Sequence, residues 1–133
     1  MASTLTSLHI HYVFSTKKRE KLIDDRMKDR LWAYMGGIAR KNNITAQAVG
    51  GTSDHVHLLV TIPPTLSISK AIQLIKAGSS KWIREEFDDK SGFSWQRGYG
   101  AFSVSRGKFH QIIDYIRLQE EHHQSKEFEE EFI

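Results

Sequence analysis

Between Leu8 and Phe14 the chain alternates. Leu8, Ile10, Tyr12 and Phe14 fall on one side, and His9, His11 and Val13 on the other. This period of two predicts a half-buried strand. After the basic turn "STKKREK" the period lengthens. Ile23, Met27, Leu31, Tyr34 and Ile38 recur at helical spacing and predict a helix from about Glu20 to Lys41. Asn42-Asn43 supplies its stop. "ITAQAVGG" reads as a second strand. In the third, "SDHVHLLVTIPP", Val56, Leu58, Val60 and Ile62 share one face, and His55, His57, Leu59 and Thr61 share the other. Pro63-Pro64 ends it. Ser67 can cap a second helix running to about Phe87, with Ile68, Ile72, Ile75, Trp82 and Ile83 as its apolar stripe. Lys70, Lys81 and Arg84 lie on its opposite side. "WQRGYGAFSVS" predicts a fourth strand. A third helix begins near Lys108, its stripe formed by Phe109, Ile112, Ile113 and Ile116.

Strand, helix, strand, strand, helix, strand is the split βαβ, ferredoxin-like order, here with one extra helix. The expected fold class is therefore α+β, an antiparallel sheet with two helices on one face. In that topology the first and third strands are central neighbours. His9, His11, His55 and His57 then gather on the face away from the two helices, and the third helix is the element left to cover them. The chain reads as one domain, 1–133, ending in an acidic tail at 124–133.

Composition narrows the classes without naming one. The chain has 133 residues, 39% hydrophobic and 26% charged, as an ordinary globular domain does. There is no cysteine, which excludes disulfides and thiolate metal sites. No apolar run is long enough to span a bilayer, and no signal-peptide core is present, so the expectation is a cytoplasmic protein without membrane contact. The net charge of +3 conceals an asymmetry. Up to Lys108 there are 17 Lys and Arg against 9 Asp and Glu; from Phe109 onward there are 2 against 7. A basic body suits a polyanion such as nucleic acid, although a solvated surface with an acidic tail reads the same way.

His55 and His57 form the most pointed chemical pattern. Side chains two apart on a strand point the same way, so two imidazoles can converge on one cation. Ordinary strand surfaces also produce such pairs, as His9 and His11 illustrate. On the third helix Tyr115 and Gln119 stand one turn apart beside the apolar stripe, and His122 continues the row. A helix packed on the sheet by that stripe carries them to the edge of the histidine face.

"DHVHLLV" followed by "PP", "SIS" and "IKAGSS", then "WQRGYGAFSVS" and "IDYIRLQEEHH", with "HYVFSTKKRE" near the start, resembles the single-tyrosine transposases of the IS200/IS605 type. The matches run in order from about Leu8 to His123. The resemblance implies that His55 and His57 form a histidine–hydrophobic–histidine (HUH) metal site, that Tyr115 is the nucleophile, and that Gln119 is the third protein ligand. It implies a divalent cofactor, Mg2+ or Mn2+, and single-stranded DNA with subterminal hairpins as substrate. It also implies a homodimer in which the tyrosine helix can act in trans. His9, His11 and His122 are candidates for supporting the ligands, and Asp54 reads more as a strand-entry residue than as a partner of the site.

The DNA-binding candidates are Lys17, Lys18, Arg19, Lys70, Lys81, Arg84, Arg97, Arg106 and Lys108, with Trp95, Tyr99 and Phe102 as possible stacking surfaces. Trp82 and Trp95 read better as core. Two other readings compete. One is a replication-initiator or relaxase-like nickase of the same chemistry. The other is a non-catalytic module binding single-stranded nucleic acid on an open sheet face.

Overall fold

The computed structural model describes residues 3–118. Four strands form one sheet: β1 (His9–Ser15), β2 (Thr45–Gly51), β3 (His55–Thr61) and β4 (Gly100–Ser103). Their order across the sheet is β2-β3-β1-β4, and every pairing is antiparallel. Three helices accompany them: α1 (Lys28–Lys41), α2 (Ile68–Glu86) and α3 (Phe109–Arg117). This is the expected ferredoxin-like α+β arrangement, with β1 and β3 central. Gln119, His122 and the tail 124–133 lie outside the described residues.

The core lies between the sheet and the α1/α2 layer. Ile10, Tyr12 and Phe14 of β1 and Val56, Leu58 and Val60 of β3 meet Leu31, Met35 and Ala39 of α1 and Ile72, Ile75 and Ile83 of α2. Tyr12 keeps its hydroxyl satisfied there by donating to the Ile68 carbonyl oxygen at 2.7 Å. Ser67 caps α2 as expected, its side chain accepting from the Lys70 backbone N–H. Trp95 belongs to this core. It packs edge-on against Phe14 and Phe93 and donates to Ser79 Oγ at 3.1 Å.

The pattern misplaced several boundaries. Helix α1 starts at Lys28, not Glu20. Lys18 and Arg19 take positive φ values of 58° and 54° within a short irregular 3-10 turn (Lys17–Arg19), and Asp24 closes a second turn by accepting from the Met27 N–H. Ile23 and Met27 are buried all the same, because residues 20–27 run across the core as extended chain and turn, with Ile23 N–H bonded to the Ser53 carbonyl. Tyr34 and Ile68, placed in apolar stripes by spacing, are 40% and 43% exposed. Tyr34 instead stacks on Trp82 at the surface, centroids 4.7 Å apart. β4 is shorter than expected. Trp95 makes only an isolated bridge to Thr16, and Lys76 Nζ holds the intervening chain by donating to the carbonyls of Gln96 and Gly98.

β1 is not half-buried. Six of its seven residues are buried, His9 and His11 among them. The second face of the sheet is closed by α3, which packs on β2 and β3 with Ile116 fully buried. Among the described residues no helix is long and apolar enough to cross a membrane.

Candidate active site

The α3-covered face carries the predicted histidines. His57 stands opposite Val13 of β1 and opposite Gly50 of β2, and His55 stands opposite Ser15. The two imidazoles meet edge-to-face with centroids 5.0 Å apart, and both are essentially inaccessible. Tyr115 is delivered from above by α3. Its ring lies edge-on to His57 at 5.5 Å and to His11 at 6.2 Å. Its hydroxyl oxygen and His57 Nε2 are both shielded from solvent. Residues 58 positions apart thus share one site within a single subunit.

Gly50 makes this delivery possible. A Cβ there would sit 2.8 Å from the Ile116 carbonyl oxygen and 2.9 Å from Ile116 Cγ2. The α3 backbone at Ile116 rests where a side chain would be, next to His57, so the adjacent Tyr115 is brought to the imidazole. Gly51 turns the chain into the loop that precedes His55. Its φ is +155°, and a Cβ there would run into the His55 carbonyl. The requirement at Gly50 is not legible in "AVGG", because close approach by an element some 65 residues away leaves no local signal.

Each imidazole is fixed at Nδ1. His55 Nδ1 donates to Asp54 Oδ1 at 2.7 Å and lies 2.9 Å from Thr52 Oγ1. Thr52 Oγ1 donates in turn to Asp54, and Arg19 approaches the same carboxylate at 3.8 Å. Burial alone would raise the Asp54 carboxyl, but His55, Arg19 and Thr52 together pull it below the ordinary carboxylate value. Asp54 is therefore a partner of His55 and not merely a strand-entry residue. His57 Nδ1 lies 2.9 Å from His11 Nε2. Burial pushes His11 down to about 4, so it is neutral near pH 7.

With both Nδ1 atoms engaged, Nε2 is the nitrogen each ring would offer to a metal. Two imidazole donors suit a divalent transition ion, and a carboxylate–histidine pair is a common support for such ligands. His55 and His57 thus present a two-imidazole donor set of the kind a divalent ion takes, while among the described residues no three His, Cys, Asp or Glu side chains group to hold a cation.

The other candidates scatter. His9 is occupied structurally, its nitrogens bonded to Ser7 Oγ at 2.7 Å and Thr61 Oγ1 at 2.8 Å and its ring edge-on to Phe109. Arg19 turns inward to Asp54 and is the one basic candidate of the nine that is not exposed. Lys17, Lys18, Lys70, Lys81, Arg84, Arg97, Arg106 and Lys108 are on the surface. Arg84 also donates to the Phe93 carbonyl oxygen. Tyr99 and Phe102 are the partly exposed aromatics of the β4 region, 42% and 37% accessible.

A four-stranded sheet carrying a histidine pair under a tyrosine-bearing helix defines a class, and comparison with known proteins gives the family. The family model described as "Transposase IS200 like" matches residues 4–119, and the chain belongs to that family. The transposase of insertion sequence IS200 from Salmonella typhimurium is 27% identical over 124 residues, spanning 90% of this chain and 81% of the relative. The ISDra2 transposase TnpA of Deinococcus radiodurans is 25% identical over 117 residues, 84% of each chain. Among solved structures, one assigned as a transposase from Deinococcus radiodurans R1 superposes with a TM-score of 0.73 and 27% identity, covering 90% of this chain and 95% of the other. A REP-associated tyrosine transposase bound to a REP hairpin shares the fold, with a TM-score of 0.65 and 14% identity over 92% of this chain and 72% of that one.

Proposed function

We propose that this transposase cleaves and rejoins single-stranded DNA through a covalent bond to Tyr115. The observation that carries the reading is the meeting of Tyr115 with His57 and His11 across the sheet, 5.5 and 6.2 Å between ring centroids. The Tyr115 oxygen attacks the scissile phosphorus, forming a phosphotyrosine at the 5′ end of the downstream strand. The bond to the 3′-oxygen of the upstream nucleotide breaks, and that oxygen leaves as a 3′-OH after taking up a proton, while the phenol gives its proton to a base or to water. The phosphoester energy is kept in the new bond, so another 3′-OH can reverse the step and join a different strand without ATP.

His55 and His57 would hold a divalent cation through Nε2, and Gln119 is proposed as its third protein ligand. When bound, Mg2+ or Mn2+ would polarise a non-bridging phosphate oxygen. Imidazole donors favour Mn2+, and cellular abundance favours Mg2+. Lys17, Lys18, Lys70, Lys81, Arg97, Arg106 and Lys108 would contact phosphate, with Tyr99 and Phe102 available for unpaired bases. The proposed substrate is single-stranded DNA with subterminal hairpins; a hairpin is what the REP-associated relative holds. The proposed assembly is a homodimer. β2 and β4 are the edges along which two sheets could join, and α3 would serve its own site or the partner's. The sheet face that a non-catalytic RNA-binding module would leave open is closed here by α3, which favours the catalytic reading.

The test is denaturing electrophoresis after mixing the protein with single-stranded hairpin DNA from the ends of its element and Mn2+ or Mg2+. A salt-resistant adduct is expected from the wild-type protein and none from Tyr115→Phe. An adduct that persists in Tyr115→Phe, or that forms equally well in EDTA, would overturn the proposal.

A further inference from the structure

The buried contact between His11 and His57 has no explanation in packing alone. An aliphatic residue opposite Leu59 would fill the covered face without a polar group to satisfy. The chain instead places a second imidazole there, 3% exposed, with Nε2 at 2.9 Å from Nδ1 of a ring 46 residues away. Two tautomeric arrangements satisfy that distance. In one, His57 carries its proton on Nδ1 and donates to His11, leaving the buried Nε2 lone pair for the proposed cation. In the other, His11 donates and His57 is protonated on Nε2, where it cannot bind a metal.

We infer that His11 is the positioning residue of His57: it accepts the Nδ1 proton and so fixes both the tautomer and the ring orientation of that ligand. The role deepens the proposed metal site and rests on it. It makes the site asymmetric, since His55 is oriented by a carboxylate and His57 by a second imidazole. His9 supplies the internal control. It is buried on the same face of the same strand, two residues away, but its nitrogens serve Ser7 and Thr61.

Long-range 1H–15N spectra of the full chain, free of metal, read the tautomer directly, and calorimetric titration with Mn2+ reads the affinity. The wild-type protein is expected to show His57 protonated on Nδ1. His11→Leu is expected to lose that preference and to weaken Mn2+ binding by roughly 10- to 100-fold. His11→Gln, which keeps an acceptor near the same point, is expected to restore most of the affinity, and His9→Leu to leave the His57 tautomer unchanged. A wild-type His57 protonated on Nε2 would overturn the inference whether or not any variant folds. Equal Mn2+ affinity in wild type and a folded His11→Leu would overturn it while leaving the metal site standing. No Mn2+ binding by the wild-type protein would overturn the metal site and this role together.

Discussion

The two faces of the sheet are built from alternate residues of the same two strands, yet they obey different rules. On the α1/α2 face, Ile10, Tyr12, Phe14, Val56, Leu58 and Val60 pack into a continuous apolar core. On the α3 face, His9, His11, His55 and His57 are just as buried, but each ring is held by a specific hydrogen bond. The first face is fixed by volume, which many side chains can supply. The second is fixed by hydrogen-bond partners and by close approach at Gly50, which few substitutions preserve. Adjacent residues in sequence therefore have separable jobs, one in stability and one in chemistry.

The sharpest way to test that separation is to truncate neighbours on β3. His57→Ala should abolish adduct formation on hairpin DNA even when counted per folded molecule, whatever stability the emptied position and the orphaned His11 cost. A variant that still forms adduct at a wild-type rate would merge the two faces. Gly50→Ala comes next. The new methyl must push Ile116, and α3 with it, away from β2, and a displacement of about 1 Å at the nucleophile can cost on the order of 100-fold in rate. Single-turnover cleavage should show this loss, with denaturant unfolding changed by no more than about 1–3 kcal/mol, as for other overpacked sites.

Leu58→Ala should do the reverse. Emptying the core position should cost about 2–5 kcal/mol in urea unfolding, with the cleavage rate per folded molecule unchanged.

The two faces should also respond to opposite ends of the pH scale. His11 is held neutral in the folded chain, lowered to about 4, whereas it takes up a proton near 6.5 when unfolded. The unfolded state then binds more protons below about 6.5. Stability present above that pH is lost as the pH falls toward 4, by up to about 3 kcal/mol. Tyr12 behaves oppositely. Burial, with a smaller contribution from Tyr99, raises its phenol well above the ordinary value. The unfolded state releases that proton first, so stability is lost as the pH rises above about 10. Urea titrations of His11→Leu and Tyr12→Phe should each flatten one limb and leave the other. Smallest of all, Lys70→Ala and Lys81→Ala should weaken DNA binding uniformly across sequences and each reduce the salt slope by about 1, read by fluorescence anisotropy at several salt concentrations.

The alternation in β1 and β3, the Ser67 cap and the element order were enough to give the ferredoxin-like topology, and topology alone put the four histidines on one face. Local patterning failed where the chain is buried without being regular. Ile23 and Met27 carry a helical period although they face the core from an irregular segment and the turn before α1, and Tyr34 and Ile68 fit a stripe yet face solvent. Spacing raises His55, His57 and Tyr115 as candidates, and the resemblance to the IS200-type proteins is what separates them from ordinary strand and helix residues. The roles of Asp54, Thr52, Arg19 and Gly50 were not legible in the same way. Each depends on a partner that sequence spacing does not reveal.

What the residues determined by themselves is the alternation that sends apolar side chains one way and imidazoles the other, since a strand has no other way to place consecutive side chains. What only the folded chain decided is which nitrogen His57 keeps available and where the phenol comes to rest. Those depend on contacts between segments 46 and more residues apart, namely His11 with His57 and Ile116 over Gly50. Such contacts exist only once the sheet has formed and α3 has closed over it.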